Sequence, residues 1–334
     1  RVASERRMAA PEEGTSVASS CSSSSLKLDD TKASMVTLFK QHAAWELMPE
    51  SGRVVVLDSS LTLDKCCNIL AAHDSPAVDV WDATRGDFLG LFSVVDVIKA
   101  FRLLMDRRED VWDGLENITL IDWLTEHPPP LGVAGRQLEV SPDTSLWDLC
   151  RTLASAKTRW VPVVERDPDM GAVLTVLNYS YILRFLVYQQ FHQEIEVLEE
   201  PIGDLGIGTF GSAVITTTPE ATLHDILRLF DDHSISSLPV VSSEDGGFLD
   251  LCCHTDVLNW SGAEMESSVL LCDVKHPSPE AVRMQTFNRR DPLSSVLKKL
   301  ASTRAPRLVC LDSSGHVEGL VSVTDVFKFF LDLA

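Results

Sequence analysis

The chain has 334 residues, enough for about two domains of ordinary size, and its 45% hydrophobic and 23% charged composition is that of a protein that folds around a core. A formal net charge of −20 argues against a nucleic-acid or anionic-membrane surface, because both need a basic footprint; a local basic pocket for a small anion is not excluded. No apolar run reaches the length of a membrane span, and the best stretch, Val173 to Val187, is broken by Asn178, Ser180 and Arg184.

Residues 1–30 are Ser-rich and aperiodic, a composition expected to stay disordered. Arg1 is not an initiator methionine, so the sequence reads as a fragment or as one starting at Met8. From Lys32 to Trp45 the spacing of Met35, Leu38, Phe39 and His42 predicts an amphipathic helix ending before Pro49. A strand Val54–Leu57, a turn Ser59–Asp64 leading into a helix through Leu70, a strand near Val78–Trp81 and a hairpin at Asp82–Asp87 follow. Gly90–Phe101 then reads as a strand passing directly into a helix near Asp96.

That last stretch returns as Gly319–Phe330, with a helix start near Asp325, and less cleanly as Leu251–Leu258 around Asp256. Helix openings recur at Ser141–Asp148, Thr218–Asp225 and Asp291–Val296. Pro162 follows Leu146 by sixteen residues, as Pro239 follows Leu223 and Val309 follows Leu293. The chain therefore reads as four α/β repeats of subdomain size. Residues 105–135 and 188–213, charged and loop-like, read as linkers. Eight scattered cysteines read as buried thiols of a reducing compartment, and Cys252, Cys253 and His254 lack a second ligand pair at zinc-finger spacing. Gly206–Gly211 fits G-x-G-x-x-G without the strand and helix that a dinucleotide motif needs.

Four such units resemble four cystathionine-β-synthase (CBS) motifs. Leu205-Gly206-Ile207-Gly208-Thr209-Phe210 followed by Thr216-Thr217-Thr218-Pro219 is similar to the γ regulatory subunits of AMP-activated protein kinase. Leu47-Met48-Pro49, Val80-Trp81-Asp82 and Leu238-Pro239-Val240-Val241 add to that likeness, which runs from about residue 35 to 334. The resemblance implies an α/β fold of four β-α-β-β-α motifs, paired into two tandem modules that form a flattened disc. The expected division is a tail at 1–30, motifs at 31–104, 136–187, 214–265 and 266–334, and linkers at 105–135 and 188–213.

The resemblance further implies a noncatalytic γ-type subunit of an AMP-activated or sucrose-non-fermenting-type kinase complex. Its partners would be a catalytic α subunit and a β scaffold, its regulatory ligand AMP, ADP or ATP, and its location the cytoplasm, with the nucleus as a second site. No cofactor or metal is implied. The residues agree on catalysis, since there is no nucleophile constellation, no phosphate loop ending in Gly-Lys-Ser/Thr and no metal pair. Two alternatives stay open: a kinase scaffold that has lost sensing, and a free-standing CBS-pair sensor for another adenosyl ligand.

Adenylate binding needs apolar walls, a carboxylate for the ribose hydroxyls, and cations or helix N-termini for phosphate. The resemblance assigns the ribose carboxylate to Asp96, Asp256 and Asp325, with Tyr181 at the matching place in the second unit. It assigns pocket lining to Ser93, Ser322 and Thr209, and wall positions to Ile235 and Ser236. Lys157 and Arg307 match basic positions, and Arg159 replaces a histidine. Other basic positions fall on Pro76, Trp160, Ser180, Ser234 and Pro306, so some pockets are expected to have lost nucleotide. The expected survivor holds Asp325 or Asp256 within reach of Arg307 and Arg159. Without the resemblance, each Asp is equally a ligand-free helix terminus, and each Arg a solvated or acid-paired one.

Overall fold

The computed structural model describes residues 17–49, 53–108, 110–132, 137–167, 170–190, 196–260, 268–274, 284–302 and 307–332; Pro306 and residues 1–16 of the expected tail lie outside them. Helix α1 (Val17–Gln41) comes first, so the part of the Ser-rich stretch from residue 17 onward is helical, a correction to the expected disorder. Serine lowers helix propensity by only a few tenths of a kcal/mol per residue, roughly, and the end of α1 is anchored by the buried Met35 and Phe39.

The first unit contains β1 (Val56–Asp58), α2 (Leu63–Ala72), β2 (Ala77–Asp82), β3 (Asp87–Ser93) and α3 (Val94–Asp106). Two further helices follow, α4 (Val111–Glu116) and α5 (Leu120–Glu126). They correct the loop reading of 105–135, and Trp123 is only 2% exposed. The second unit has α6 (Leu146–Ser155), β4 (Val161–Asp167), β5 (Met170–Leu177) and α7 (Tyr179–Phe185). The expected second linker carries α8 (Ile202–Leu205) and β6 (Thr209–Phe210). The third unit has α9 (Leu223–Asp232), β7 (Ser237–Val241) and β8 (Phe248–Cys253). It closes with a 3₁₀ turn, His254–Asn259, where a regular helix was expected. The fourth has β9 (Thr286–Phe287), α10 (Leu293–Ser302), β10 (Arg307–Leu311), β11 (Val317–Ser322) and α11 (Val323–Leu331).

The repeat is physical. Helices α2, α6, α9 and α10 each run ten residues and open on a leucine that is fully buried. Ser145 and Thr222 cap two of them by accepting the backbone N–H of Asp148 and Asp225. All four antiparallel hairpins break register at the same place, at Val80/Trp81, Val163/Val164, Val240/Val241 and Cys310/Leu311. A shared bulge twists each hairpin alike and gives each following helix the same start.

Units one and two meet through β2 and β5, and units three and four through the bridge of Gly247 to His316. Helices make the other joins. α3 packs on α9 and the 254–259 turn, while α7 packs on α10 and α11. Two apolar cores result, one formed by the first and third units, the other by the second and fourth with α1. The candidate clefts open where these joins cross.

Candidate functional site

The strand–helix junctions share one device. Ser322 caps α11, its N–H and hydroxyl donate to Asp325 Oδ2 at 2.8 and 2.7 Å, and the Asp325 N–H returns to Ser322 Oγ at 3.3 Å. Ser93 holds Asp96 Oδ2 in the same way, both contacts at 2.9 Å. The Cys253 N–H donates to Asp256 Oδ2 at 2.7 Å. Each Asp is thus the third helical residue of a capping box, and the helices begin two residues earlier than the sequence suggested. In the second unit Asn178 is the cap, which puts Tyr181 at the matching place. One carboxylate oxygen serves each cap. Asp96 Oδ1 also accepts from Trp123 Nε1 at 3.4 Å, whereas Asp325 Oδ1 accepts nothing among the described residues. Burial raises the Asp96 pKa against the lowering pull of its Ser93 bonds.

Two clefts collect these groups. The Asp325 cleft, about 670 Å³, brings together Lys157, Arg159, Thr209, Ile235, Ser236, Arg307, Ser322 and Asp325. The Asp96 cleft, about 570 Å³, contains Ser93 and Asp96 and shares Lys157, Arg159 and Ile235 with its neighbour. Asp256 lines neither. Its 3₁₀ turn folds it inward, 4% exposed, which corrects the expectation that it shares a pocket with Arg307.

The cations sit under strain of like charge. Arg307, at the start of β10, donates Nη1 to the Ser236 carbonyl at 3.3 Å and Nη2 to the Ser236 hydroxyl. Burial lowers its pKa, opposed by Cys253 and Asp325. Arg159 donates Nη2 to the Ser234 carbonyl at 3.1 Å, but its Nη1 is buried with no hydrogen-bond partner among the described residues. Burial, and then the charge of Arg307, push Arg159 down to about 9. His254 is buried with both ring nitrogens unpartnered among the described residues, and burial and the two arginines hold it neutral. Desolvated cations that repel one another and keep an open donor are an arrangement an anion relieves.

Neighbouring elements hold the rest of the Asp325 cleft in place. Gly206 ends α8 in the left-handed region, and Gly208, at φ +114°, lets β6 pair with β11. A Cβ on Gly208 would lie 2.7 Å from the Leu320 carbonyl oxygen. This pairing sets Thr209 at the cleft wall. Lys157 and Ser234 each follow their helix by two residues in the left-handed conformation, so their backbones turn into both clefts.

Sequence reasoning missed Lys99, Lys328 and His254. Lys99 and Lys328 line the Asp96 and Asp325 clefts respectively, each three residues after its Asp in Asp-Val-Ile-Lys and Asp-Val-Phe-Lys. That repeated spacing, one helical turn, was the available signal. His254 carried none. Among the described residues no group of three His, Cys, Asp or Glu is placed to hold a metal.

The model of the CBS domain matches residues 209–262 and 274–332. The γ subunit of 5′-AMP-activated protein kinase from Dictyostelium discoideum is 28% identical over 327 residues, covering 91% of this chain and 54% of that protein. The chain is thus similar to CBS domains over those two stretches and to these γ subunits over most of its length. The Homo sapiens γ-3 subunit is 27% identical over 301 residues, covering 86% of this chain and 59% of its own length. The chain spans somewhat more than half the length of these relatives. A Methanocaldococcus jannaschii protein described as an archaeal homologue of the γ subunit shares the fold, with a TM-score of 0.67 at 15% identity over 86% of this chain and all of that one. A Pyrococcus horikoshii protein superposes with a TM-score of 0.50 at the same identity and coverage.

Proposed function

We propose that this chain is a noncatalytic γ-type regulatory subunit that binds AMP, ADP or ATP in the Asp325 cleft. The observation that carries the reading is the meeting of Asp325, with one oxygen open, and the desolvated Arg307 and Arg159 in one cleft of about 670 Å³. That volume is ordinary for a site holding a nucleotide-sized ligand. Asp325 Oδ1 accepts from the ribose hydroxyls, the arginines and Ser236 hold phosphate, and Ile235 and the aliphatic wall cover the base. The cleft joins units two, three and four, so a bound nucleotide favours the arrangement that keeps them together. Through that shift the subunit alters a kinase whose catalytic α and scaffold β subunits are its partners, by no more than the difference in nucleotide affinity between the two arrangements.

Equilibrium titration with AMP, ADP and ATP tests the reading. At least one is expected to bind with a Kd below about 1 mM, equivalent to roughly 4 kcal/mol. Absence of binding for all three would leave the scaffold reading, which the loss of basic residues at Pro76, Ser180 and Ser234 favours.

A further inference from the structure

The chain passes from unit two to unit three along a strap, residues 200–213, that lies against unit four. Backbone bonds sew its near end to the turn between β9 and α10. The Ile202 N–H donates to the Asp291 carbonyl at 3.1 Å and the Gly203 N–H to the Arg289 carbonyl at 3.0 Å, while the Leu293 N–H donates back to the Glu200 carbonyl at 3.0 Å. That turn is itself fixed. The Asn288 N–H donates to Asp291 Oδ2 at 3.1 Å, and the Asp291 N–H donates to the Asn288 carbonyl at 2.9 Å. The strap then leaves through α8 and Gly206, and at Phe210 the same turn meets it a second time. The Arg289 guanidinium lies over the Phe210 ring, 4.4 Å from its centroid, and Glu318 of β11 holds Arg289 Nη1 at 3.2 Å. The ring also packs on Gly319, where a Cβ would collide with it.

Between these two attachments the strap carries Thr209 to the wall of the Asp325 cleft. Ile207 is buried, but Thr209 is exposed and Phe210 half-buried, so β6 brings little apolar burial to its own pairing. A two-residue edge of that kind opens readily by itself. A cation held over an aromatic ring by a carboxylate supplies the anchor that the pairing lacks. Arg289 lines neither cleft. We propose that Arg289 is a positioning residue, a latch on Phe210 that sets the Thr209 wall of the Asp325 cleft from outside it. This rests on the reading of that cleft as a nucleotide site. It also makes the strap responsive, because a ligand touching Thr209 favours the latched strap by the same factor that the latched strap favours the ligand. Occupancy of the cleft is thereby felt in the segment that joins units two and three.

Amide hydrogen exchange and AMP titration of the full chain test the proposal. In Arg289→Ala the amides of Ile207 to Phe210 are expected to exchange about tenfold faster than in the wild type, while those of β10 keep their protection and show the fold intact. AMP affinity is expected to fall about threefold, as the strap spends part of its time unlatched. Arg289→Met, which covers the ring without a charge, should behave like the alanine variant. Arg289→Lys keeps a cation for the ring and for Glu318, and should restore both values. Strap exchange at the wild-type rate in Arg289→Ala, or faster exchange with AMP affinity unchanged, would overturn the latch and leave the nucleotide reading intact. No AMP binding by the wild type would overturn that reading and the positioning role together, and is told apart because it appears before any substitution.

Discussion

At position 79 the first unit carries an aspartate where the register of the others gives Pro162, Pro239 and Val309. Asp79 lies at the centre of β2, fully buried, with Oδ2 unpartnered among the described residues. The Gln137 amide satisfies the edge of β3 when its nitrogen donates to the Phe88 carbonyl at 2.7 Å and its oxygen accepts the Gly90 N–H at 3.1 Å. That orientation sets the amide oxygen 3.3 Å from Asp79 Oδ1, a contact that asks for a proton between them. Burial raises the Asp79 pKa to about 7, with Glu139 and Asp87 adding to the rise and the Val80 N–H and Arg166 opposing it. An unfolded aspartate titrates near 3.9. Stability from this group is therefore full below that value and lost as pH rises through about 7, with an upper bound of roughly 4 kcal/mol. Asp79→Asn should melt above wild type at pH 8 and converge with it near pH 4. Thermal unfolding at the two pH values checks this, and an equal offset at both would show no titration linked to folding.

Among elements, helix starts were the most legible. A small oxygen side chain ahead of a leucine, with an aspartate three residues on, marks a capped helix, and the sixteen-residue spacing to the next strand fixed the unit. The same signal was misread in 105–135. There Asp110 caps α4 and Thr119 caps α5, so charge that looked like a loop marks two helix starts. The 3₁₀ turn at 254–259 was hidden because Asp256 keeps the capping pattern while its turn closes at Trp260. The glycine loop was read as a failed dinucleotide motif, and its use is backbone pairing. Gly208→Ala combines φ +114° with a 2.7 Å approach to the Leu320 oxygen, and is expected to destabilise the chain by roughly 1–3 kcal/mol. It should also weaken nucleotide binding through Thr209. Chemical denaturation and titration of the variant read the two effects, and wild-type values for both would mean that β6 does not hold the cleft wall.

In the whole molecule, periodicity gave apolar faces but could not say which faces meet. The first unit shares its core with the third, and the second with the fourth, through pairings that only the folded chain reveals. Arg102 of α3, bound to Asp231 and Asp232 of α9 at 2.6 Å each, fastens one of those joins. The residues of the Asp325 cleft come from 153–159, Tyr179, 209–215, 234–237 and 307–328, so the clustering of Arg159 with Arg307 has no local signature. Resemblance supplied Asp325 and Arg307; the open nitrogen of Arg159 and the neutral His254 came from burial. The direct test is paired titration of AMP and adenosine against wild type, Asp325→Asn and Arg307→Ala. Loss of the ribose acceptor should weaken both ligands by about tenfold, near 1.4 kcal/mol, while loss of Arg307 should weaken AMP by about ten- to a hundredfold and leave adenosine unchanged. AMP affinity unaltered in both variants would place the nucleotide outside the Asp325 cleft.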